Sequence, residues 1–576
     1  MDVKLAGFNV DIDGIKKIKE LLQSNSLSND DRITALKMLE ELTPETISAS
    51  YARISRDPAP IYKLREKARG DVENARKSNK AIIFTMGHKS IAEHAFFNFD
   101  IMDISRHLVE NIEEKRLQSY TEKSQRYITL KGDFVIPQEI KGTPFEDKFV
   151  EIIELQNSFY KNNIDILVNW HKNRDYNELF NSLNYLDNKN KQISVLEDLG
   201  KEDARYALAM ATQTQLGMST SARNLEVLIT KLNSSDIFEE QELGKALLEE
   251  VNGIAPSVIK YTKPVDYFMK TREKLKLHIS CLVIKNDLQK YNCPFTSELL
   301  RKDLRPNSNS AKKSGFPWLS YLSYMQEVSP LKFFDDLKEY NDHRDTSADQ
   351  QNLEVSDNYD VGLFTGLKRD DSIIAGLIFS SSFLSYLSSL ELLSKLDYNE
   401  KIRILDIADK YQEKFDPKLR EYELGDRVAQ LSMSSSAFAQ IKRHRINTLI
   451  TQPYNPSLGI TTPPSIMGGG LGKTFFEIQD KTNGLYTEMV KSGVKINVAE
   501  YILTNAHRKR VLIRLNAREM YHISRLREDA HSQWDIRNLI GSYIDLLKEN
   551  SPLTLRYACG KHEFDEVKKK RYMENE

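Results

Sequence analysis

Apolar residues recur at helical spacing along most of this chain. Residues 13–42 and 60–82 place them three and four positions apart, with lysine, arginine, glutamate and asparagine between them. Residues 145–170 have the pattern of one long amphipathic helix, and residues 239–262 and 534–548 predict two more. The pattern therefore predicts a chain in which helices predominate.

Strand-like alternation is confined to shorter runs. FFNFDI at 96–101 and LKLHISCLVI at 275–284 alternate as strands of a small sheet do. Residues 171–200 are rich in asparagine, aspartate and lysine, and residues 340–360 are nearly free of large apolar side chains. Both stretches predict surface loops or insertions. Helices with a few short strands indicate an α+β protein.

A faint internal repeat divides the sequence. SARNLEVLI at 221–229 is similar to NAREMYHIS at 516–524. A polar segment lies upstream of each: EEKRLQSYTEKSQRY at 113–127 in the first half and IKRHRINTLI at 441–450 in the second. The interval is longer in the first half, and the asparagine-rich stretch is the expected place of the extra residues. The repeat predicts two modules with the limits 1–272 and 273–576.

Composition narrows the class of protein. The chain has 576 residues, 40% of them hydrophobic, so it has enough apolar material for a sizeable core. Its 82 Lys and Arg balance 83 Asp and Glu, which excludes a protein that coats nucleic acid. Three cysteines without a CxxC pair predict neither a disulfide framework nor a cysteine zinc site. With no signal peptide and no apolar segment of membrane-spanning length, we expect a cytoplasmic protein without a membrane partner.

One polar segment, SSSAFAQIKRHRINTLI at 434–450, combines two kinds of cationic side chain. In a continuous helix Gln440, Arg443 and His444 share one face, and Pro453 lies beyond its end. Arginine and histidine on one face suit an anionic ligand such as a phosphate or a reduced flavin. A basic face in contact with solvent is the alternative that the pattern leaves open.

A second polar segment is RLQSYTEKSQRY at 116–127. In a helix Glu122 and Arg126 share a face while Ser124 points away, so the three address one ligand only if the segment is a loop. A solvated helix with an ion pair is the alternative, and by itself the segment favours it.

Two further segments resemble a metal-binding motif and a phosphate-binding loop, but neither matches the required pattern. MGHKSIAEH at 86–94 lacks the H-E-x-x-H spacing of a metal site, so no metal is predicted. GGGLGKT at 468–474 resembles a P-loop, but Met467 stands where the first glycine is required, and a flexible glycine loop is the better interpretation.

Together these segments resemble the flavin-dependent thymidylate synthases. GHKSIAEHAFFNF, followed by SRHLVENIEEKRLQSYTEKSQRY, is similar to the first half of that family, and AEYILTNAHRKRVLIRLNAREMYHISRLREDAHSQWDI to its C-terminal half. The family signature is Arg-His-Arg, seven residues, then Ser. The first module keeps Ser124 but reads Glu114-Lys115-Arg116, whereas the second keeps Arg443-His444-Arg445 but has Pro453.

The resemblance implies two tandem modules, each helix-rich with a small antiparallel sheet. One chain would then mimic a dimer of the family, and a homodimer would mimic its homotetramer. The family's nucleotide sites take residues from two subunits, so the resemblance implies a composite site here. Module two's helix and module one's loop together keep every family position: Gln440, Arg443, Arg527, Glu122, Ser124, Arg126 and Arg205. The opposite combination has lost them: Asn111, Glu114, Leu232, Thr451, Pro453, Asn455 and Glu500.

The activity implied by the resemblance is reductive methylation of dUMP to dTMP. Methylenetetrahydrofolate supplies the carbon, the hydride passes through FAD, and NADPH reduces the flavin. Ser124 and Arg443 are the implied catalytic residues, and the other members of the composite site bind substrate. The implied FAD contacts are Ser55, His88, Ser90, Glu93, His444, Arg445, Asn516, Arg518, His522 and His531. The alternatives are a related flavoenzyme that uses another nucleotide or one-carbon group, and a non-catalytic flavin- or nucleotide-binding relative.

Overall fold

The computed structural model describes residues 1–23, 28–54, 57–267, 269–270, 352–356, 361–365 and 369–573. The chain forms two compact units, each assembled from separate segments. Unit 1 comprises Met1–Ser124, Lys131–Asp147 and the described residues from 211 to 270. Unit 2 comprises Gln125–Leu130, Lys148–Met210 and the described residues from 352 to 573. The predicted module boundary at 272 and the predicted strand at 275–284 lie outside the described residues.

The sheet of unit 1 is antiparallel and has the strand order β1-β2-β4-β3. Its strands are β1 Asp2–Phe8, β2 Phe96–Ser105, β3 Ser119–Glu122 and β4 Gln213–Ser221. The inner positions of β2 alternate between exposed and buried, so one face of the sheet packs on helices, as the run FFNFDI predicted. Phe97, Phe99 and Ile101 lie in that core.

The sheet of unit 2 is also antiparallel, with the order β5-β6-β7-β9-β8. Its strands are β5 Asn352–Ser356, β6 Val361–Thr365, β7 Asp426–Ser434, β8 Thr448–Thr451 and β9 Arg508–Asn516. Alternate residues of β7 and β9 are buried against the helices of this unit, among them Leu431 and Ile513.

The two sheets share one topology. The order β1-β2-β4-β3 recurs in unit 2 as β6-β7-β9-β8. Ser105 at the end of β2 and Ser434 at the end of β7 each cap a helix that follows directly. The registers also match, because β3 begins with Ser119 opposite Ser219 and β8 begins at the equivalent pair of residues. The predicted helix-rich α+β fold of two tandem modules with small antiparallel sheets is therefore confirmed.

Helices cover most of the remaining described residues, and none is long and apolar enough to cross a membrane. The α-helices that lie wholly in unit 1 are Ile12–Leu22, Asn29–Glu40, Glu45–Arg53, Ile61–Gly70, Val72–Asn79, Arg106–Glu113, Ala222–Asn233 and Phe238–Asn252. The remaining α-helices are Glu146–Lys172, Asn177–Ser182, Lys189–Ala204, Arg369–Ser380, Tyr386–Lys395, Tyr398–Asp409, Ser435–Ile441, Pro464–Gly468, Gly472–Lys491, Ile496–Ala499, Ala517–Arg527, Trp534–Asn550 and Phe564–Met573.

The long helices predicted at 145–170 and 534–548 are confirmed. Of the two alternatives predicted for 171–200, a surface loop is wrong, and an insertion stays a prediction. Two helices occupy that stretch, and the second begins where Asn188 accepts a hydrogen bond from the Lys191 amide (3.1 Å). Asparagine therefore acts as a helix cap here. Residues 352–356 form β5, so the prediction of a loop is also wrong for this described part of 340–360.

Two segments of the candidate site differ from the helices that their spacing favoured. The helix after β7 ends at Ile441 and the chain then turns into β8, so a continuous helix over 434–450 is wrong. Likewise Ser119–Glu122 is a strand, and a turn follows it. In both cases strand pairing with β9 or β4 outweighs local helical spacing. The glycine loop at 468–474 is shorter than predicted, because Gly472 already begins a helix.

A buried histidine in unit 2 gives the fold a dependence on pH. His507 is fully buried; its Nδ1 accepts a hydrogen bond from the Thr504 amide (2.9 Å) and its Nε2 donates to Asn483 Oδ1 (2.8 Å). Burial lowers the pKa of His507 from 6.5 to about 4.

We expect His507 to reduce stability as the pH falls from 6.5 towards 4, because only the unfolded chain takes up the proton in that range. Its share of the loss between pH 7.5 and pH 5 is about 2 kcal/mol. Urea unfolding of the wild type and of His507→Gln at both pH values measures this share. Equal losses in the two proteins would contradict it.

Candidate functional site

Gln440 and Arg443 are positioned by the segment that follows β7. Ser434 accepts a hydrogen bond from the Ala437 amide (3.0 Å) and so caps the helix Ser435–Ile441. Every residue of this helix is buried, and Gln440 is therefore held in the interior. Arg443 lies in the turn beyond the helix end and is exposed.

The Gln440 side chain belongs to a buried hydrogen-bond network. Its Nε2 donates to Gln533 Oε1 (3.3 Å). Gln533 Nε2 in turn donates to the Tyr206 hydroxyl (2.6 Å), which donates to Asp535 Oδ2 (2.9 Å). Because Gln533 Oε1 can only accept, the network fixes the orientation of the Gln440 amide. Gln440 Oε1 is buried and has no hydrogen-bond partner among the described residues, so it can accept one from a ligand.

Arg527 is the last residue of the helix that follows β9. Its Nη2 donates to the Gln440 carbonyl (2.9 Å) and its Nε donates to His444 Nε2 (3.0 Å). Burial, and after it the charges of Arg443 and Arg126, lowers the pKa of Arg527 from 12.5 to about 10. In the part of the chain that the structure describes, no carboxylate pairs with Arg527. A partly buried cation in this state favours a bound anion.

Arg126 and Arg205 complete a group of cations in unit 2. Arg126 pairs with the buried Glu202 and donates through Nη2 to the His531 carbonyl (3.4 Å). Burial raises the pKa of Glu202, and the charges of Arg126 and Arg205 oppose that rise. Arg205 is 6% exposed and is held through its carbonyl, which accepts from Asn505 Nδ2 (2.9 Å). We call Arg126, Arg205, Arg443 and Arg527 the arginine cluster.

The structural equivalents of these residues in the other copy of the repeat are different. Helix caps and strand pairing relate Arg443 to Glu114, Arg527 to Leu232, Gln440 to Asn111, Arg205 to Glu500, Glu122 to Thr451, Ser124 to Pro453 and Arg126 to Asn455. Arg205 and Glu500, for example, each begin a three-residue 3₁₀ turn ahead of a nine-residue strand.

The replaced residues of unit 2 hold backbone. Glu500 Oε1 accepts a hydrogen bond from the Tyr454 amide (2.8 Å). Asn455 caps a short 3₁₀ turn by accepting from the Ser457 amide (2.9 Å), and its own amide donates to the Arg508 carbonyl (3.0 Å). These contacts hold the chain after β8 against β9. Glu500 and Asn455 therefore stabilise the local backbone at the positions where the other copy has Arg205 and Arg126.

Two predicted flavin contacts are engaged by neighbouring residues. Asn516 caps the helix after β9 by accepting from the Glu519 amide (2.9 Å). Arg518 pairs with Glu423 (2.6 Å) and donates to the Lys418 carbonyl (2.8 Å). Both residues are therefore fixed in place in unit 2 by contacts within the protein.

The remaining predicted flavin contacts of unit 2 lie at the edge of the arginine cluster. Arg445 and His522 are exposed, and the His522 ring meets the buried His444 ring edge to face at 5.5 Å. His531 contacts the carboxylate of Asp529 through its backbone amide (3.1 Å) and its ring. The buried His444 thus joins the exposed edge to the partly buried Arg527.

The candidate residues of unit 1 have surroundings of their own. Glu122 pairs with the buried Arg106 (3.1 Å), and Ser124 follows it after the end of β3. His88, Ser90 and Glu93 are exposed, and Glu93 pairs with Arg223. Ser55 lies outside the described residues. The site roles of these residues remain predictions.

His444, Glu519 and His522 place three possible metal-ligand atoms within 4.8 Å of one another. His444 Nδ1 lies 3.3 Å from Glu519 Oε1, and its Nε2 accepts from Arg527. Nε2 is thus already used in a hydrogen bond and Nδ1 faces the Glu519 carboxylate, which favours a hydrogen-bonded group over a metal centre.

Sequence reasoning missed several residues that shape the site. Tyr206, Gln533 and Glu202 reach it through contacts between distant parts of the chain, which no local spacing reveals. Glu519 carried a usable signal, because it lies three residues before His522 and so shares its helical face.

Comparison with known proteins assigns the chain to a family. The model of the family described as "Thymidylate synthase complementing protein" (Thy1) matches residues 37–257 and 425–553, which is more than half of the chain. The matched segments contain β2 to β4 in the first half and β7 to β9 in the second.

Individual relatives match in two ways. A flavin-dependent thymidylate synthase of Clostridium tetani is 27% identical over 237 residues, 40% of this chain and 86% of the relative. One of Geobacter sulfurreducens is 26% identical over 223 residues, 38% of this chain and 83% of the relative. The UPF0159 protein Ta1429 of Thermoplasma acidophilum is 22% identical over 516 residues, 86% of this chain and 90% of the relative.

The relatives named as synthases thus correspond to part of the chain, and the Thermoplasma protein to most of it. With the duplicated topology, this division agrees with a tandem arrangement. The chain belongs to the thymidylate synthase complementing protein family, that of the flavin-dependent thymidylate synthases, in a form with two modules in tandem.

Proposed function

We propose that this protein is a flavin-dependent thymidylate synthase that converts dUMP to dTMP by reductive methylation. The one-carbon donor is methylenetetrahydrofolate, the reductant is NADPH and the cofactor is FAD. Family membership supports the flavin and the reaction class, since relatives at modest identity are named flavin-dependent thymidylate synthases.

The observation that carries the proposal is the partly buried guanidinium of Arg527. It has no carboxylate partner among the described residues, and burial with the charges of Arg443 and Arg126 lowers its pKa to about 10. At neutral pH it is still a cation, so a phosphate dianion or an anionic pyrimidine oxygen beside it is strongly favoured. A nucleoside monophosphate offers both groups.

The other residues have separate tasks in this proposal. Gln440 Oε1 accepts a hydrogen bond from the nucleotide and orients it, because its amide is fixed by Gln533. Arg126 and Arg205 bind the phosphate. Arg443, exposed at the edge, stabilises the negative charge that develops during the reaction.

The donors at the edge of the cluster fit a flavin dinucleotide. Arg445 and His522 are exposed there, and guanidinium and imidazole groups suit a pyrophosphate and the ring oxygens of a flavin. When bound, a flavin would supply hydride-carrier chemistry between NADPH and the methylene carbon. The chain's own contribution is to hold nucleotide and flavin and to keep the cations of the site in place.

The proposal assigns one nucleotide site to each chain. Glu500 stands where the cluster has Arg205, and Leu232 stands where it has Arg527. A carboxylate would repel a phosphate, and Glu500 already binds the Tyr454 amide. Of the two equivalent sets of positions, only the one with the arginine cluster therefore forms a nucleotide site in this proposal.

Anaerobic reduction of the bound flavin by NADPH, followed at the flavin absorption band, tests this function. We expect dUMP to accelerate reduction by roughly tenfold, which corresponds to about 1.4 kcal/mol in the barrier, because nucleotide and flavin share one working site. A yellow protein that is indifferent to dUMP would contradict dUMP as the substrate. A protein that cannot be loaded with FAD would contradict the enzyme altogether.

A matched pair of variants at equivalent positions controls this experiment. Arg205→Gln removes a cation of the cluster, so acceleration should require much more dUMP. Glu500→Gln keeps an oxygen for the Tyr454 amide and should respond as the wild type does. An equal response of the two variants would mean that the acceleration by dUMP does not depend on the arginine cluster.

A further inference from the structure

Glu519, His444 and Arg527 form a chain of contacts that ends at the Gln440 carbonyl. Glu519 Oε1 lies 3.3 Å from His444 Nδ1, Arg527 Nε donates to His444 Nε2 at 3.0 Å, and Arg527 Nη2 donates to the Gln440 carbonyl at 2.9 Å. The side chains of Glu519 and His444 are only 7% and 3% exposed. Water therefore competes little for these contacts.

The partners determine the proton position on the imidazole. Arginine has donors only, so His444 Nε2 must present its lone pair to Arg527. A neutral imidazole then carries its proton on Nδ1, 3.3 Å from the Glu519 carboxylate oxygen that can receive it. The opposite tautomer would place two N–H groups against each other at Nε2.

We propose that Glu519 is a positioning residue: it fixes the tautomer of His444 and thereby the orientation of the Arg527 guanidinium towards the nucleotide. This inference rests on the proposed function, because the nucleotide is what Arg527 is oriented to bind. With Nε and Nη2 fixed by the protein, the plane of the guanidinium is set before the ligand arrives, which lowers the entropic cost of binding.

The surrounding charges are consistent with this role. Burial, then the charges of Arg527 and His522, lowers the pKa of His444 well below its usual value, so the imidazole stays neutral. Burial raises the pKa of Glu519 to about 7, and the charge of Arg518 opposes the rise. A neutral imidazole that accepts at Nε2 is the state that the hydrogen bond from Arg527 requires.

The other copy of the repeat lacks this chain of contacts as a whole. Lys115 stands at the position of His444, Asn224 at that of Glu519 and Leu232 at that of Arg527. Asn224 instead donates from Nδ2 to the Leu117 carbonyl (3.2 Å). Glutamate and histidine thus occur together where the arginine is present, as expected of residues that act through it.

Equilibrium binding of dUMP to the full chain tests the proposal with two substitutions of similar size. Glu519→Gln retains an oxygen that can accept from His444 Nδ1, so its Kd should stay within about threefold of the wild type. Glu519→Leu has no acceptor, so its Kd should rise about tenfold or more. A purely structural role would instead lower the melting temperature of both variants and weaken both alike.

The matched control is Glu528→Gln. Burial raises the pKa of Glu528 to about 7 as it does for Glu519, but Glu528 bonds with Ser524 rather than His444. Its replacement should leave the Kd for dUMP unchanged. A loss equal to that of Glu519→Leu would show that any buried carboxyl of this region has the same effect and would overturn the assignment.

Histidine-selective ¹⁵N NMR separates this inference from the proposed function. The His444 signal, identified by its loss in His444→Asn, should report the Nδ1–H tautomer in the wild type and in Glu519→Gln, and a changed tautomer in Glu519→Leu. Absence of dUMP binding by the wild type with these spectra would overturn the proposed function and leave the tautomer assignment standing. Normal binding with an Nε2–H tautomer in the wild type would overturn the inference alone.

Discussion

Arg527→Leu is expected to weaken dUMP binding by about 100-fold or more and to leave the protein nearly as stable as the wild type. Removing one partner of a desolvated ionic contact costs roughly 2 to 5 kcal/mol of binding free energy, and each 1.4 kcal/mol is about tenfold in Kd. Leucine is the appropriate replacement because Leu232 occupies the equivalent position of the other copy, where it is 4% exposed.

The stability part of this expectation follows from opposing terms. The pKa of Arg527 falls from 12.5 to about 10, so the charged form is disfavoured by about 3 kcal/mol at most, and leucine removes that cost. Leucine also leaves His444 Nε2 and the Gln440 carbonyl without a donor, at about 1 to 3 kcal/mol each. The terms nearly cancel, so the free energy of unfolding should change by only about 1 to 2 kcal/mol.

Titration calorimetry with dUMP and urea unfolding of the ligand-free protein measure the two parts separately. Leu232→Ala is the matched control, since it alters the equivalent position without touching the arginine cluster. It should lower stability, as truncation of a buried leucine does, and leave the Kd for dUMP unchanged. If Arg527→Leu bound dUMP as tightly as the wild type, Arg527 would not bind the nucleotide, and the proposed function would lose its main support.

The repeat was the part of the fold that the sequence predicted best. The pairs Arg205 and Glu500, Arg443 and Glu114 were assigned from sequence, and they occupy equivalent places in the two topologies. Such residues lie at fixed intervals from a strand end or a helix cap, so local spacing carries the information.

The errors arise where distant segments decide the outcome. The chain after Ile441 forms β8 because it pairs with β9, and the local spacing of RHRINTLI does not predict that pairing. The ion pair of Arg126 with Glu202 joins residues 76 positions apart. For the same reason the assignment of residues 148–210 to unit 2 could not be predicted from the internal repeat. Periodicity reports the face of an element but not its partner.

Arg443→Ala is expected to lower kcat for dTMP formation by about 100- to 1,000-fold while the protein folds normally. Arg443 is exposed in a turn beyond the helix Ser435–Ile441, so its loss leaves no buried cavity. In the proposed function its guanidinium stabilises charge that develops during the reaction, and loss of one such donor has an effect of this size. Tritium release from [5-³H]dUMP measures the rate.

Two further substitutions make this prediction specific. Arg443→Lys keeps the charge but loses the planar fork, so its rate should fall between those of the wild type and Arg443→Ala if bidentate contact matters, and should equal the wild type if charge alone matters. Glu114→Ala changes the equivalent position in unit 1 and should leave the rate unaltered. Because Arg443 is one of the charges that lower the pKa of Arg527, Arg443→Ala should also return that pKa towards its usual value. Unchanged turnover in Arg443→Ala would mean that the reaction takes place away from the arginine cluster.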